Sequence, residues 1–109
     1  IGSMRNVAVV AMTKNLSEEL GPSGISVTAV HPGYTRTEAT PKVIAARAQA
    51  RGLTEDEVAQ GMAEVNPLGR IIDAREVAYV VTFLASPKSI AINGDVIATG
   101  GGAGKAIHY

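Results

Sequence analysis

The residues best placed to do chemistry lie in HPGYTRT, His31 to Thr37, where Thr35 and Thr37 set out two hydroxyls just beyond a Pro-Gly. A hydroxyl donates one proton and accepts through two lone pairs, so such a pair can meet a phosphate oxygen or an amide. Free backbone amides past a strand end would add donors, and Gly33 lets backbone approach a ligand where a Cβ would block it. The competing reading is an ordinary strand-ending turn in which Thr37 caps the next helix. His31 could hydrogen-bond a ligand or partner, but a lone His at a strand end is more often structural.

The elements that must position this stretch can be read from the flanking pattern. ISVTAV, Ile25 to Val30, alternates apolar and hydroxyl residues and reads as a strand that Pro32-Gly33 ends. Residues 5–20 read as a helix, with Val9, Met12, Leu16 and Leu20 on one stripe and a stop at Gly21-Pro22. Its VAVVAM portion is apolar nearly all round, which predicts burial on more than one face. Pro41 opens a helix running through Ala50, and the Thr54…Glu57 capping box opens another over residues 55–64, stopped by Asn66-Pro67. Asp73…Glu76 resembles a second box, ahead of a helix carrying Val77, Val80, Val81 and Leu84 and ended by Ser86-Pro87. Asn93-Gly94 is a turn signal, residues 95–99 read as a strand, and Gly100 to Gly102 follow.

A strand joined through helices to another strand predicts an α/β fold with a parallel pair and a right-handed crossover. Two parallel strands do not make a sheet that stands alone, since such sheets are covered on both faces. That expectation and the opening Ile1 in place of Met both point to a fragment of a larger domain.

Composition excludes more than it selects. The 109 residues are 46% hydrophobic and 18% charged, with ten basic residues against ten acidic, so net charge gives no ground for a nucleic-acid or membrane partner. There is no cysteine, which removes disulfides and thiolate metal sites and fits a reducing, cytoplasmic setting. No apolar run reaches the roughly 18 residues of a membrane span. The carboxylates of Asp73 and Glu76 are explained by capping, and His108 has no partner at ligand spacing, so no metal site is expected. Gly100 to Gly104 with Lys105 falls one residue short of a P-loop spacing and lacks the following Ser or Thr.

AMTKNLSEELGPSGISVTAVHPGYTRTE, NPLGRIIDAREVAYVVTFLAS and NGDVIATGGG, in this order and spacing, resemble the C-terminal half of the short-chain dehydrogenase/reductase family over about residues 6–102. The resemblance implies a doubly wound, Rossmann-type parallel sheet, of which this chain is a C-terminal part, and a cofactor, NAD or NADP. It places Pro32 and Gly33 at the turn beside the nicotinamide. Thr35 falls where backbone groups meet the carboxamide, and Thr37 where a hydroxyl meets the carboxamide or pyrophosphate. Residues 38–66 match the substrate loop, a lid, with Tyr34, Val43, Ile44 and Met62, together with Val58 and Val65, as candidates for its lining. Plain helix packing accounts for those apolar residues equally well. Residues 103–109 are a tail to this single domain.

Two departures from the family pattern matter. Its catalytic tyrosine acts as general acid/base and its lysine, four residues on, lowers the tyrosine pKa and holds the nicotinamide ribose. Counting back from Thr13-Lys14 puts Asn6 at the lysine position and Gly2 at the tyrosine position; a one-residue shift offers Arg5 and Ile1 instead. Neither register supplies the tyrosine, and no GxxxGxG phosphate loop precedes a helix, so no catalytic residue is assigned. The resemblance therefore implies an oxidoreductase parent, with weak or no cofactor binding and no turnover by this chain alone. The alternative is a dehydrogenase-like protein that lost the chemistry and works as a binding or scaffold protein. Partners implied are the missing N-terminal half of the fold and further copies, docked through the 5–20 helix and the C-terminal helix and strand.

Overall fold

In the computed structural model, which describes residues 2–105, the helices are α1 (Gly2–Leu20), α2 (Thr40–Arg51), α3 (Glu55–Ala63) and α4 (Ala74–Leu84). The strands are β1 (Ala29–Pro32), β2 (Thr35–Arg36), β3 (Ile72–Asp73) and β4 (Val96–Thr99). β1 pairs with β4, and β2 runs parallel to β3 with Thr35 opposite Ile72 and Arg36 opposite Asp73. The chain divides into two compact units, Ile1–His31 with Ala78–Ala98 and Pro32–Val77 with Thr99–Tyr109. His108 lies outside the described residues, as does most of the tail.

In the first unit, α1 ends where Gly21-Pro22 forbids continuation, and Gly24, at φ 77°, returns its amide to the Gly21 carbonyl. Its buried residues are Thr13 and Ser17, whose hydroxyls donate to the carbonyls of Val9 (2.8 Å) and Lys14 (2.7 Å). Ser17 faces the Gly94 turn, whose backbone sits so close that a Cβ there would collide with Ser17 Oγ. Within the single chain the VAVVAM stretch is not buried on more than one face. Val7 is 68% exposed, Val10 44% and Met12 54%, because no described element covers that face within this unit.

The strand expected at Ile25–Val30 starts later, at Ala29, and runs to Pro32. Ahead of it, Val27 donates its amide to Asn93 Oδ1 at 2.8 Å and accepts from the Gly94 amide at 2.8 Å. A side-chain oxygen thus stands in for a ladder carbonyl, and regular pairing begins only at the Ala29 amide, which donates to the Asp95 carbonyl. The second strand begins at Val96, one residue after its expected start.

The second unit holds the apolar core. Ala48 from α2, Val58 and Met62 from α3 and Ile71 pack together, with Ile44 partly buried against them and Ile72 buried in β3. Local signals set both helices. Pro41 lies in the first turn of α2, Gly52 at φ 67° ends it, and the Thr54–Glu57 capping box is present in full. At α4 the expected box is only half formed: Glu76 accepts from the Asp73 amide at 2.8 Å, while the Asp73 carboxylate faces Arg36 Nε at 4.0 Å. The strands β2 and β3 are too short to leave a period in the sequence. No helix among the described residues is long and apolar enough to cross a membrane.

Candidate functional site

The turn after β1 is built backbone against backbone. A Cβ on Gly33 would lie 3.1 Å from Gly100 Cα, and one on Gly100 would lie 3.3 Å from the Gly33 nitrogen. The glycine expected to admit a ligand therefore admits Gly100 on one side. Thr35, half-buried in β2, donates its hydroxyl to the Gly33 carbonyl at 3.0 Å, so its oxygen keeps only acceptor capacity. The Thr37 amide, expected to be free, donates to Thr40 Oγ1 at 2.7 Å. Thr37 Oγ1 accepts from the Ala39 amide at 3.3 Å, which leaves the hydroxyl proton available. Thr37 closes this turn two residues before Ala39, the N-cap of α2. With Arg36, Asp73 and Arg75 it lines an open cavity of about 640 Å³.

A second cavity, of about 280 Å³, lies against α2 and α3. It gathers Tyr34, Val58, Met62 and Val65 from the residues named as lining, and adds Arg47 and Arg51. Arg47 stands over the Tyr34 ring, its guanidinium carbon 5.2 Å from the centroid. Val43 and Ile44 do not join them: Val43 is 39% exposed and Ile44 packs on the core.

The NPLGR loop was missed as a structural organiser. Asn66 is buried, donates Nδ2 to the Arg70 carbonyl at 2.9 Å and accepts from the Leu68 amide at 2.9 Å. Gly101, at φ 66°, passes so near that a Cβ would sit 3.0 Å from Asn66 Oδ1. A polar residue directly before Pro-x-Gly was the available signal. Arg70 then forks onto both oxygens of Glu76, Nη1 donating at 2.8 Å. That bond, with the Asp73 amide as the next cause, holds the Glu76 carboxyl down at about 2, and the same pairing raises Arg70.

In the first unit, Asn6 and His31 line one small cavity of about 140 Å³ with Val10 and Val96. Asn6 has no ionisable group, so this cavity holds an amide where the family resemblance calls for an ammonium. Elsewhere Thr99 Oγ1 is buried without a hydrogen-bond partner among the described residues.

Residues 3–104 match the family model described as enoyl-(acyl carrier protein) reductase. The chain is 34% identical over 94 residues to the 3-oxoacyl-[acyl-carrier-protein] reductase FabG of Vibrio harveyi, a match over 86% of this chain and 34% of that protein. It is 30% identical over 105 residues to the NADPH-dependent reductase BacG of Bacillus subtilis, over 96% of this chain and 40% of the other. A crystal structure of a short-chain dehydrogenase family protein from Francisella tularensis superposes with a TM-score of 0.80 at 34% identity, covering 86% of this chain and 39% of that one. The chain thus spans roughly a third to two-fifths of the length of these relatives. With its helices and parallel strands matching part of their Rossmann fold, the chain belongs to the short-chain dehydrogenase/reductase family.

Proposed function

We propose that this chain is the C-terminal portion of an NAD(P)-dependent oxidoreductase that moves hydride between a nicotinamide and a carbonyl or alcohol. The observation that carries this reading is the family match over residues 3–104, with relatives named as reductases. The turn fits one wall of a nicotinamide site. The free Thr37 hydroxyl proton suits a phosphate or carboxamide oxygen, and the Thr35 oxygen suits a carboxamide N–H. NAD(P), when bound, supplies or accepts the hydride. This chain's share is to orient the ring from one side and to close residues 38–66 over the substrate as a lid. Neither the family's glycine-rich phosphate loop nor its tyrosine–lysine pair is among these residues, so the isolated chain binds cofactor weakly or not at all and does not turn over. Asn6 favours a second reading, a relative that kept the fold for binding or scaffolding and gave up the chemistry. A cytoplasmic setting fits either reading.

The reading frame that encodes the chain, expressed with its upstream sequence, separates the two. NADPH oxidation followed at 340 nm with a 3-oxoacyl thioester and with a simple ketone should show turnover. Thr37→Val should raise the KM for NADPH by about tenfold, the worth of one hydrogen bond to a charged group. A longer protein that binds NADPH without turning over would leave the binding reading ahead. We also propose that copies assemble through α1 and through α4 with β4, since apolar α1 residues such as Val7 are left wet. Size-exclusion chromatography with light scattering should then show no stable monomer, and a monomer at micromolar concentration would remove this part of the proposal.

A further inference from the structure

The cavity against α2 and α3 has a composition that substrate-loop packing does not require. Arg47 and Arg51 occupy successive turns of one face of α2, four residues apart, and both line it. Among the described residues no carboxylate lies within ion-pair distance of either guanidinium; the ion pairs formed are Lys14–Glu18, Arg36–Asp73 and Arg70–Glu76. Glu57 is the acidic residue of the lining, and its carboxylate is engaged by the Thr54 amide at 2.8 Å. Below the charges are apolar walls from Leu53, Val58 and Met62. Arg47 is half-buried and held over the Tyr34 ring, so its fork is oriented before any ligand arrives. Arg51 also sits in the last turn of α2, where a cation is favoured by the helix dipole, but that accounts for neither Arg47 nor the cavity.

We propose that this cavity is a subsite for an organic anion on a short aliphatic stem, its carboxylate or phosphate held by Arg47 and Arg51 and its stem lying on Met62 and Val58. Guanidinium forks match the paired oxygens of either anion, and a cavity with mostly apolar walls and a few convergent polar groups is what such a ligand needs. Tyr34 directly follows Gly33, so the subsite adjoins the turn that carries Thr35 and Thr37. As part of a substrate site this rests on the oxidoreductase reading above, and it assigns the substrate a negatively charged end. As an anion site it does not depend on that reading.

Binding to the 109-residue chain without cofactor tests it and keeps the two readings apart. Octanoate, octyl phosphate and octanol are titrated while the Met62 methyl resonance is followed by NMR. Saturable shifts are expected with at least one of the two anions, with octanol binding about tenfold or more weaker, the loss expected when a charged hydrogen bond is removed. The preferred anion identifies which acid the subsite takes. Arg51→Gln, at an exposed position, should weaken the anion by about tenfold and leave octanol unchanged, and Arg47→Lys should fall between Arg51→Gln and the parent chain, because charge survives without the fork. Equal binding of octanol and the anions, no binding of either anion, or an Arg51→Gln chain that binds octanoate as before would each overturn the subsite. Absence of NADPH turnover in the longer protein would instead sink only the oxidoreductase reading.

Discussion

The two compact units of this chain both bury polar residues, Thr40 and Asn66 in one and Thr13, Ser17 and Ser89 in the other, but among the described residues only the first adds an apolar core. The unit built on α2, α3 and β3 hides Ala48, Val58, Met62, Ile71 and Ile72. The unit built on α1 hides Thr13, Ser17 and Ser89 and leaves Met4, Val7, Met12 and Ile90 mostly exposed. The first pattern is a small core made by two capped helices and the segment after them. The second is polar tightening around a close backbone approach, with the apolar faces left over. The VAVVAM stretch of α1, apolar nearly all round, keeps faces that this unit does not cover. The unit with the larger apolar supply is therefore the one that stabilises itself less. The unit built on α2 and α3, by contrast, carries its own core and can hold the shape of its cavity.

The largest effect that can break this contrast is a core truncation read separately in each unit by amide hydrogen exchange. Met62→Ala should lower protection in α2 and α3 by about 2–5 kcal/mol, the usual cost of emptying a buried methionine site. Val7→Ala, 68% exposed in the single chain, should change protection by no more than about 0.5 kcal/mol unless copies dock through α1 as proposed above. If Val7→Ala costs as much as Met62→Ala, the α1 face is covered in solution and the contrast belongs to the isolated chain alone.

A smaller effect sharpens how the first unit is held. Gly94 and Gly52 share a left-handed backbone, φ 70° and 67°, but a Cβ at Gly52 meets nothing within 4 Å while one at Gly94 collides with Ser17. Gly52→Ala should cost about 1–2 kcal/mol, from backbone strain alone. Gly94→Ala should cost at least about 1 kcal/mol more, because α1 must also be displaced. A thermal-unfolding double-mutant cycle with Ser17→Ala gives the check: Gly94→Ala should cost less in the Ser17→Ala background than in the parent chain, because the Oγ it collides with is gone. Equal costs at the two glycines would mean that the Gly94 approach does not hold α1.

What could be read in advance follows the range of the interactions involved. α2 and α3 were legible because Pro41, Gly52 and the Thr54–Glu57 pair act within one turn. The start of β1 was not, because the pairing that delays it runs from Val27 to Asn93, 66 residues away. VAVVAM was legible as apolar, but what covers a face is never local information. In the candidate site, the loss of the Thr37 amide to Thr40 was within reach, since a hydroxyl three residues on is a common way to take an amide. The shared face of Arg47 and Arg51 was also visible as spacing. That no carboxylate answers them depends on where every acidic residue of the folded unit ends up, and sequence order does not give that.

The smallest effect concerns what holds the loop between the core and α4. Glu76 takes the Arg70 fork and the Asp73 amide, and its carboxyl titrates at about 2 against a reference of 4.5. The native state therefore binds this proton less tightly than the unfolded chain does. Its contribution is fully present above pH 4.5, declines as the unfolded carboxylate begins to protonate, and is gone once pH falls through about 2. Arg70 stays charged across this range, so the window belongs to Glu76. Both side chains are exposed enough for salt to screen them, and the effect should shrink in 1 M salt. Following the Glu76 side-chain carboxyl by NMR from pH 6 to 2 should give a midpoint well below 4.5, and Glu76→Gln should remove the acid-dependent loss of Asp73 amide protection. A Glu76 midpoint near 4.5 would show the fork to be open in solution, leaving Asn66 alone to order the loop that joins the α2–α3 core to α4.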